Sequence, residues 1–217
     1  MNDAPMSERH FSQAEAVAYI TDALARENVS QPNALSVAKA LVNAEIAGQK
    51  GHGFSRVASY AVQARSGKVA GYAVPQANLN GAAMLRIDAA NGFAFPAIDL
   101  AIEQLIPLCA ETGIAAAGLT RSHHCGQLGA HVERLAEAGC VAMMFANSPK
   151  AMAPWGGNAA LFGTNPIAFA TPRQGHKPPL VIDMSPPGEA RFRFPTLTWR
   201  EEDDTWHGVP ASEVFLQ

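Results

Sequence analysis

The hydrophobic pattern changes period several times along the chain. Ser12-Gln13-Ala14-Glu15 has the form of a capping box, and Ala16, Val17, Ile20, Ala23 and Leu24 recur behind it on one helical face. The spacing predicts a first helix running to about Asn28. Pro32 opens a second helical pattern, with Leu35, Ala38, Leu41, Val42 and Ile46 as its apolar stripe and Gly48 closing it. From Arg65 to Gly92 the text is short and broken, with Met84–Asp88 as a strand and Asn91-Gly92 as a turn. Phe95–Ala110 then reads as a largely apolar helix with Ile98, Ile102, Leu105 and Leu108 toward the core, kinked or shortened by Pro107.

The middle of the chain predicts a strand, loop, helix, strand unit. The apolar run Ile114–Leu119 ends in a polar turn, a glycine-punctuated loop opens a helix, and a second apolar run, Val141–Ala146, follows. Beyond it, loops dense in Gly, Pro, Asn and Ser alternate with strand-like runs at Phe162–Ala170 and Leu180–Met184. From Ser185 on, the periodicity is lost. That tail holds 9 of the chain's 35 charged residues in 33 positions, about twice the density before it, and Pro186, Pro187, Pro195 and Pro210 interrupt it. Most of it is expected to be irregular.

Composition narrows the classes of function. At 217 residues the chain is long enough to bury a substantial core in one domain or two small ones, and its 48% hydrophobic content and formal charge of −3 are those of a globular protein. Lysines and arginines are scattered with no aromatic-interleaved basic stripe, which argues against nucleic acid as a partner. No run reaches the length of a membrane span, and the first residues lack a signal-peptide apolar segment, so a cytoplasmic location is expected. Cys109, Cys125 and Cys140 include no Cys-x-x-Cys pair and suit a reducing compartment.

Two stretches carry candidate chemistry. In Arg121-Ser122-His123-His124-Cys125-Gly126-Gln127-Leu128-Gly129, a helix N-terminus beside two glycines offers backbone N–H groups and a favourable dipole to an anion such as phosphate. Imidazole there can donate to an anion or move a proton. The plain alternative is a solvated pair of turn histidines. In Gly51-His52-Gly53-Phe54-Ser55-Arg56, arginine can grip a carboxylate while the imidazole gives or takes a proton, and Arg56 shares a face with His52 if a helix begins here. A helix-start histidine with a surface arginine is the alternative. Asp183, at a strand end, suits a substrate or cofactor hydroxyl or a helix cap. His123, His124 and Cys125 complete no metal-site spacing, and Cys125 beside His124 is the only thiol with a neighbouring base, without a need for it as a nucleophile.

Taken together, Gly51-His52-Gly53-x-x-Arg56, Ser122–Gly129, Asn147-Ser148-Pro149, Pro154-Trp155-Gly156-Gly157, Phe162-Gly163-Thr164-Asn165-Pro166 and Ile182-Asp183-Met184 occur in the order seen in the type-2 malate/L-lactate dehydrogenases, which the chain resembles over about residues 11–184. That family also contains sulfolactate and ureidoglycolate dehydrogenases and the reductases of Δ1-piperideine-2-carboxylate and Δ1-pyrroline-2-carboxylate. The resemblance implies an α/β, non-Rossmann NAD(P)-binding fold, divided here into a helical segment (1–70), a partial cofactor-binding domain (71–184) and a divergent tail (185–217). It implies a homodimeric oxidoreductase moving hydride to or from C2 of a 2-oxo, 2-hydroxy or cyclic 2-imino acid, with NADP or NAD as cofactor, NADP favoured. By position, His52 and His124 correspond to acid/base residues, Arg56 to the carboxylate anchor and Thr164 to a substrate contact. His124, Cys125, Gly126, Gln127, Leu128, Ile182, Asp183 and Met184 correspond to the cofactor lining.

There are two departures. Gly51 stands where the family usually has serine, which removes any hydroxyl relay to His52. The family's Ala-Arg-Gly continuation is also replaced after Met184, as a truncation or frameshift would do. A shortened, inactive member that keeps only ligand-binding or dimerisation surface is the alternative reading.

Overall fold

The structure is a computed structural model and describes residues 10–175 and 177–185, together with the backbone of 189–193, 196–200 and 205–209. Its helices are α1 (Gln13–Ala25), α2 (Gln31–Ile46), α3 (Val57–Arg65), α4 (Ala94–Thr112) and α5 (Leu128–Glu137). The strands are β1 (Gln76–Leu79), β2 (Met84–Asp88), β3 (Ala116–Thr120), β4 (Ala142–Phe145), β5 (Ile167–Thr171), β6 (Leu180–Ser185), β7 (Glu189–Arg193), β8 (Thr196–Arg200) and β9 (Thr205–Val209). Two compact units interleave along the chain. The first holds the described residues up to Ala77 with Ile87–Asp99 and Leu119–Gly126, and the second holds Asn78–Arg86, Leu100–Gly118 and the described residues from Gln127 on.

In the first unit the predicted caps form. Ser12 Oγ accepts the Glu15 N–H at 3.3 Å while the Glu15 carboxylate accepts the Ser12 N–H at 2.8 Å, and these bonds satisfy donors the first turn leaves open. The helix ends at Ala25, short of the expected Asn28, whose φ of 61° is left-handed and closes the turn. Pro32 starts α2 as expected. Ile20 and Leu24 of α1, Val37, Leu41 and Val42 of α2, Tyr60 and Ala64 of α3, and Val69, Phe93 and Phe95 form one buried cluster. Each buried Val, Leu, Ile or Phe side chain among them stabilises the unit by about 1.5–3 kcal/mol before chain entropy is counted. Buried Asn33 ties α2 to the following loop by donating to the carbonyls of Gly71 and Ala73 at 2.9 and 2.8 Å.

No α-helix begins at His52, so the condition under which Arg56 would share its helical face is not met. Two short 3-10 turns, Lys50–His52 and Phe54–Arg56, precede α3, because Gly53 breaks the helical run with φ −98° and ψ −133°. α4 runs through Pro107 as one element to Thr112, two residues beyond the expected end at Ala110. Both Pro107 and Glu103, whose carbonyl loses its helical donor, are exposed, so the proline sits on the solvent side of the helix where the lost bond costs least.

In the second unit α5 lies on an antiparallel sheet of order β4-β5-β6-β7. Ala142 faces Ala170, which faces Val181, and all three are buried with Ala168 on the side that carries α5. Because side chains alternate along a strand, Met143, Phe169 and Ile182, and Phe145, Ile167 and Met184, share the other side. Met143 and Phe145 on it are 58% and 64% exposed. The predicted strand–helix–strand unit is present as β3, α5 and β4, but its strands belong to different sheets, β3 to the set β1-β2-β3. The tail is not irregular throughout: β7 continues the sheet and β8 pairs with β9. Alternating and β-branched or aromatic residues make these strands possible, and Pro195 and Pro210 fall between or after them. Pro186 and Pro187 lie outside the described residues.

Candidate functional site

A histidine cluster forms within the first unit. The turn bearing His52 is braced from both sides: its N–H donates to Gln49 O at 2.8 Å, Ser55 Oγ donates to Lys50 O at 2.6 Å, and Arg56 Nε donates to Gly51 O at 2.6 Å. The Phe54 N–H donates to the Glu45 carboxylate at 2.9 Å. The His52 ring stacks on His124 with centroids 5.3 Å apart and planes within 6°. From α3, Tyr60, only 1% exposed, brings its hydroxyl to 2.7 Å from His124 Nδ1. The Gly126 N–H approaches the same nitrogen at 3.2 Å. A backbone N–H only donates, so Nδ1 is the acceptor and the neutral His124 ring carries its proton on Nε2.

His123 sits at right angles to Tyr60 and Phe93, with centroids at 5.1 and 5.7 Å. Its Nε2 meets Gln63 Oε1 at 3.0 Å, an acceptor, so this ring also holds its proton on Nε2. The buried Nδ1 then has no hydrogen-bond partner among the described residues. Burial pushes the His123 pKa down, helped by the charges of Lys68 and Arg56. The His124 pKa is pulled down to about 4 by desolvation, then by His52, Arg56 and His123. His124 remains open to water over part of its surface, which limits the shift but not its direction. Burial raises the Tyr60 hydroxyl well above its ordinary range, against the opposing pull of Arg56. At pH 7 the cluster therefore holds neutral His123 and His124 and a protonated Tyr60 beside the Arg56 guanidinium.

In the second unit the N-terminus of α5 is closed. The Asp183 carboxylate on β6 accepts the Gly129 N–H at 2.8 Å. A Cβ at Gly129 would stand 2.9 Å from that carboxylate oxygen, so the close approach requires glycine. An anion at this helix start would meet that carboxylate, which makes the capping contact that is one of the two readings of a strand-end aspartate. Ile182 and Met184, on the opposite side of the sheet from Asp183, do not share its surface. Gln127, 6% exposed at the start of α5, keeps a buried amide oxygen with no partner among the described residues, and Leu128 is buried beside it in the sequence. The Thr164 hydroxyl pairs with Ser148 Oγ at 3.0 Å, and Ser148 and Asn165 exchange two further bonds at 3.1 and 3.2 Å. Cys125 is half-buried and lies close enough to Tyr60 to act on its charge.

Comparison with known proteins decides the family. A family model described as malate/L-lactate dehydrogenase matches residues 11–193, running past Met184, where the motif resemblance ends. The chain belongs to this malate/L-lactate dehydrogenase family. Over 177 residues it is 50% identical to a (2R)-3-sulfolactate dehydrogenase (NADP(+)) of Chromohalobacter salexigens, covering 82% of this chain and 53% of that protein. It is 39% identical over 187 residues to a Δ1-pyrroline-2-carboxylate/Δ1-piperideine-2-carboxylate reductase of Pseudomonas syringae pv. tomato, covering 83% of this chain and 54% of that protein. The crystal structure of the Δ1-piperideine-2-carboxylate reductase from P. syringae superimposes with a TM-score of 0.73 at 34% identity, over 82% of this chain and 53% of that one. The chain thus spans about half the length of the curated relatives it matches.

Within this family member, the first unit brings together His52, Arg56 and His124 of the predicted site. Thr164, Ile182, Asp183 and Met184 belong to the second unit. Tyr60, Gln63 and Phe93 escaped the motif reading because each looks like an ordinary helix or core residue. The available signal was spacing: Tyr60 follows Arg56 by one helical turn, which extends the motif to Gly-His-Gly-x-x-Arg-x-x-x-Tyr.

Proposed function

We propose that this chain carries the proton-handling and carboxylate-binding machinery of an NAD(P)H-dependent oxidoreductase acting at C2 of a 2-oxo or 2-hydroxy acid or a cyclic 2-imino acid. The observation that carries it is the stacked His52–His124 pair with Arg56 in one compact unit. Arg56 offers its guanidinium to the substrate carboxylate. His52 gives or takes the proton on the C2 oxygen or nitrogen. His124, neutral, polarises that substituent through its Nε2–H, the one N–H its ring has.

A nicotinamide cofactor, when bound, supplies or accepts the hydride. In the second unit the buried Gln127 amide oxygen, without a partner among the described residues, fits a hydrogen-bond donor of a cofactor. Asp183 at the α5 N-terminus speaks against that helix as the phosphate seat. NADP is preferred to NAD because the 50%-identical relative is named for NADP(+). The apolar sheet side with Met143 and Phe145 supports a homodimer, and three cysteines without a disulfide suit the cytoplasm.

The test is a fluorescence titration of NADPH and then NADH against the purified 217-residue chain, followed by turnover of 2-oxo, sulfonated 2-oxo and cyclic imino acids. Saturable nicotinamide enhancement with turnover is expected. Binding without turnover would favour the alternative, a ligand-binding but inactive family member, and no binding at high protein concentration would sink the reductase reading.

A further inference from the structure

We infer that Tyr60 is a positioning residue: its hydroxyl fixes the tautomer of His124, keeping the imidazole proton on Nε2. This deepens the proposed reductase reading and rests on it for its catalytic meaning, though not for its geometry.

Tyr60 is buried, 1% exposed. A phenol O–H withdrawn from water must find an acceptor or lose its hydrogen-bond energy, and the partner given to Tyr60 is His124 Nδ1 at 2.7 Å. A single nitrogen is thus addressed by two groups, the hydroxyl and the Gly126 N–H. Moving the proton to Nδ1 would set it against the Gly126 N–H and force the Tyr60 hydroxyl to turn its own hydrogen elsewhere. Neither neighbour is free to move away. The Tyr60 ring is wedged against Phe93 and Phe95, with centroids 5.6 and 6.3 Å away. Gly126 holds φ +68° with the Phe95 ring where a Cβ would go, 2.9 Å from it, so glycine alone can present its N–H there.

The charged and titratable groups facing the ring act in the same direction. His52 stacks on it, Arg56 and His123 add positive charge, and Lys68 acts through its effect on His123. A second proton on His124 is opposed by all of them, so the ring is held as a neutral Nε2–H donor. In the reductase reading the exchange of protons with substrate falls to His52, whose ring stacks on this fixed neighbour.

The test uses the whole 217-residue chain and long-range 1H–15N NMR of its histidine rings, with His124 assigned by the signal lost in His124→Gln. In the parent chain at pH 7, His124 Nδ1 is expected to show the shift of a lone-pair acceptor and Nε2 that of an N–H. A parent spectrum with the proton on Nδ1 overturns the inference without any variant. In Tyr60→Phe, which keeps the ring and removes the hydroxyl, both tautomers should appear and the His124 titration midpoint should rise toward the ordinary histidine value. An unchanged tautomer and midpoint in a folded Tyr60→Phe chain would assign the role to Gly126 alone and overturn it too. Should Tyr60→Phe fail to fold, 3-fluorotyrosine at this position keeps the shape while strengthening the donor, and the midpoint should then fall; no movement counts against the inference. With turnover measurable, Tyr60→Phe is expected to lower kcat at least about tenfold with KM little changed, and to shift the acid limb of the pH profile upward. A chain without turnover refutes the reductase reading and leaves the NMR result to judge Tyr60.

Discussion

The histidine cluster of the first unit and the start of α5 in the second are both glycine-bearing loops, yet their polar groups are arranged for different ends. At the cluster, three imidazoles, a buried phenol and a guanidinium converge, and His123 Nδ1 is left without a partner among the described residues. At α5, a carboxylate from the neighbouring strand already occupies the helix start. The first arrangement concentrates proton-handling groups under positive charge, which makes their ionisation adjustable. The second pairs a donor with an acceptor and pins a helix to a sheet, as a structural cap does. A glycine loop before a helix therefore says little about anion binding until the occupant of the helix start is known.

The sharpest way to break the comparison is to remove one group from each region. His52→Ala deletes a member of the stacked pair at a half-buried position outside the apolar core. Turnover should fall by about 10²- to 10⁴-fold, as loss of a general acid or base does, with the melting curve little changed. Steady-state kinetics beside a thermal melt checks it, and full activity in the variant would take His52 out of the chemistry. Gly129→Ala tests the other region. Its new Cβ would press on Asp183 Oδ2 at 2.9 Å and on Asp183 Cβ at 3.0 Å, and the second of these is anchored on β6. Overpacking outweighs the better helix propensity of alanine, and a loss of about 1–2 kcal/mol is expected from urea unfolding. Asp183→Ala should cost about 1 kcal/mol, the usual value of a lost N-cap. If NADPH affinity falls in Asp183→Ala while stability holds, the closed helix start is a ligand site after all.

How far the sequence could be read differs between the same two regions. Helix starts with local chemistry were legible, Ser12 with its capping box and Pro32 among them, because the deciding bonds lie within one turn. The motif histidines His52 and His124 were legible as candidates, and the family match agrees with the motifs that named them. Their relation was not, since the stacking and the Tyr60 contact join residues 64 to 72 positions apart. Asp183 was ambiguous for the same reason: its partner, Gly129, is 54 residues earlier. The break in the pattern after Met184 misled the reading of the tail, because prolines that fall between strands look, in a one-dimensional text, like prolines that prevent them.

The smallest expected effect is on stability against pH, and it separates the regions most cleanly. The His124 pKa falls from its ordinary 6.5 to about 4 on folding, and that of His123 falls as well. Between those limits the unfolded chain binds protons that the folded cluster refuses. Stability therefore rises with pH across that window, is lost as the pH falls from about 6.5 toward 4, and is flat above it as far as these rings are concerned. The pairing at the α5 start joins a carboxylate to a backbone N–H and involves no imidazole, so His124→Gln leaves it unchanged. Water reaching part of His124 keeps the effect modest. Melting temperatures at fixed ionic strength should decline less steeply over the window in His124→Gln than in the parent, with the two curves running parallel above pH 7. If the variant falls as steeply as the parent, the ring is not held neutral by its neighbours, and the distinction between an ionisable cluster and a closed cap no longer stands.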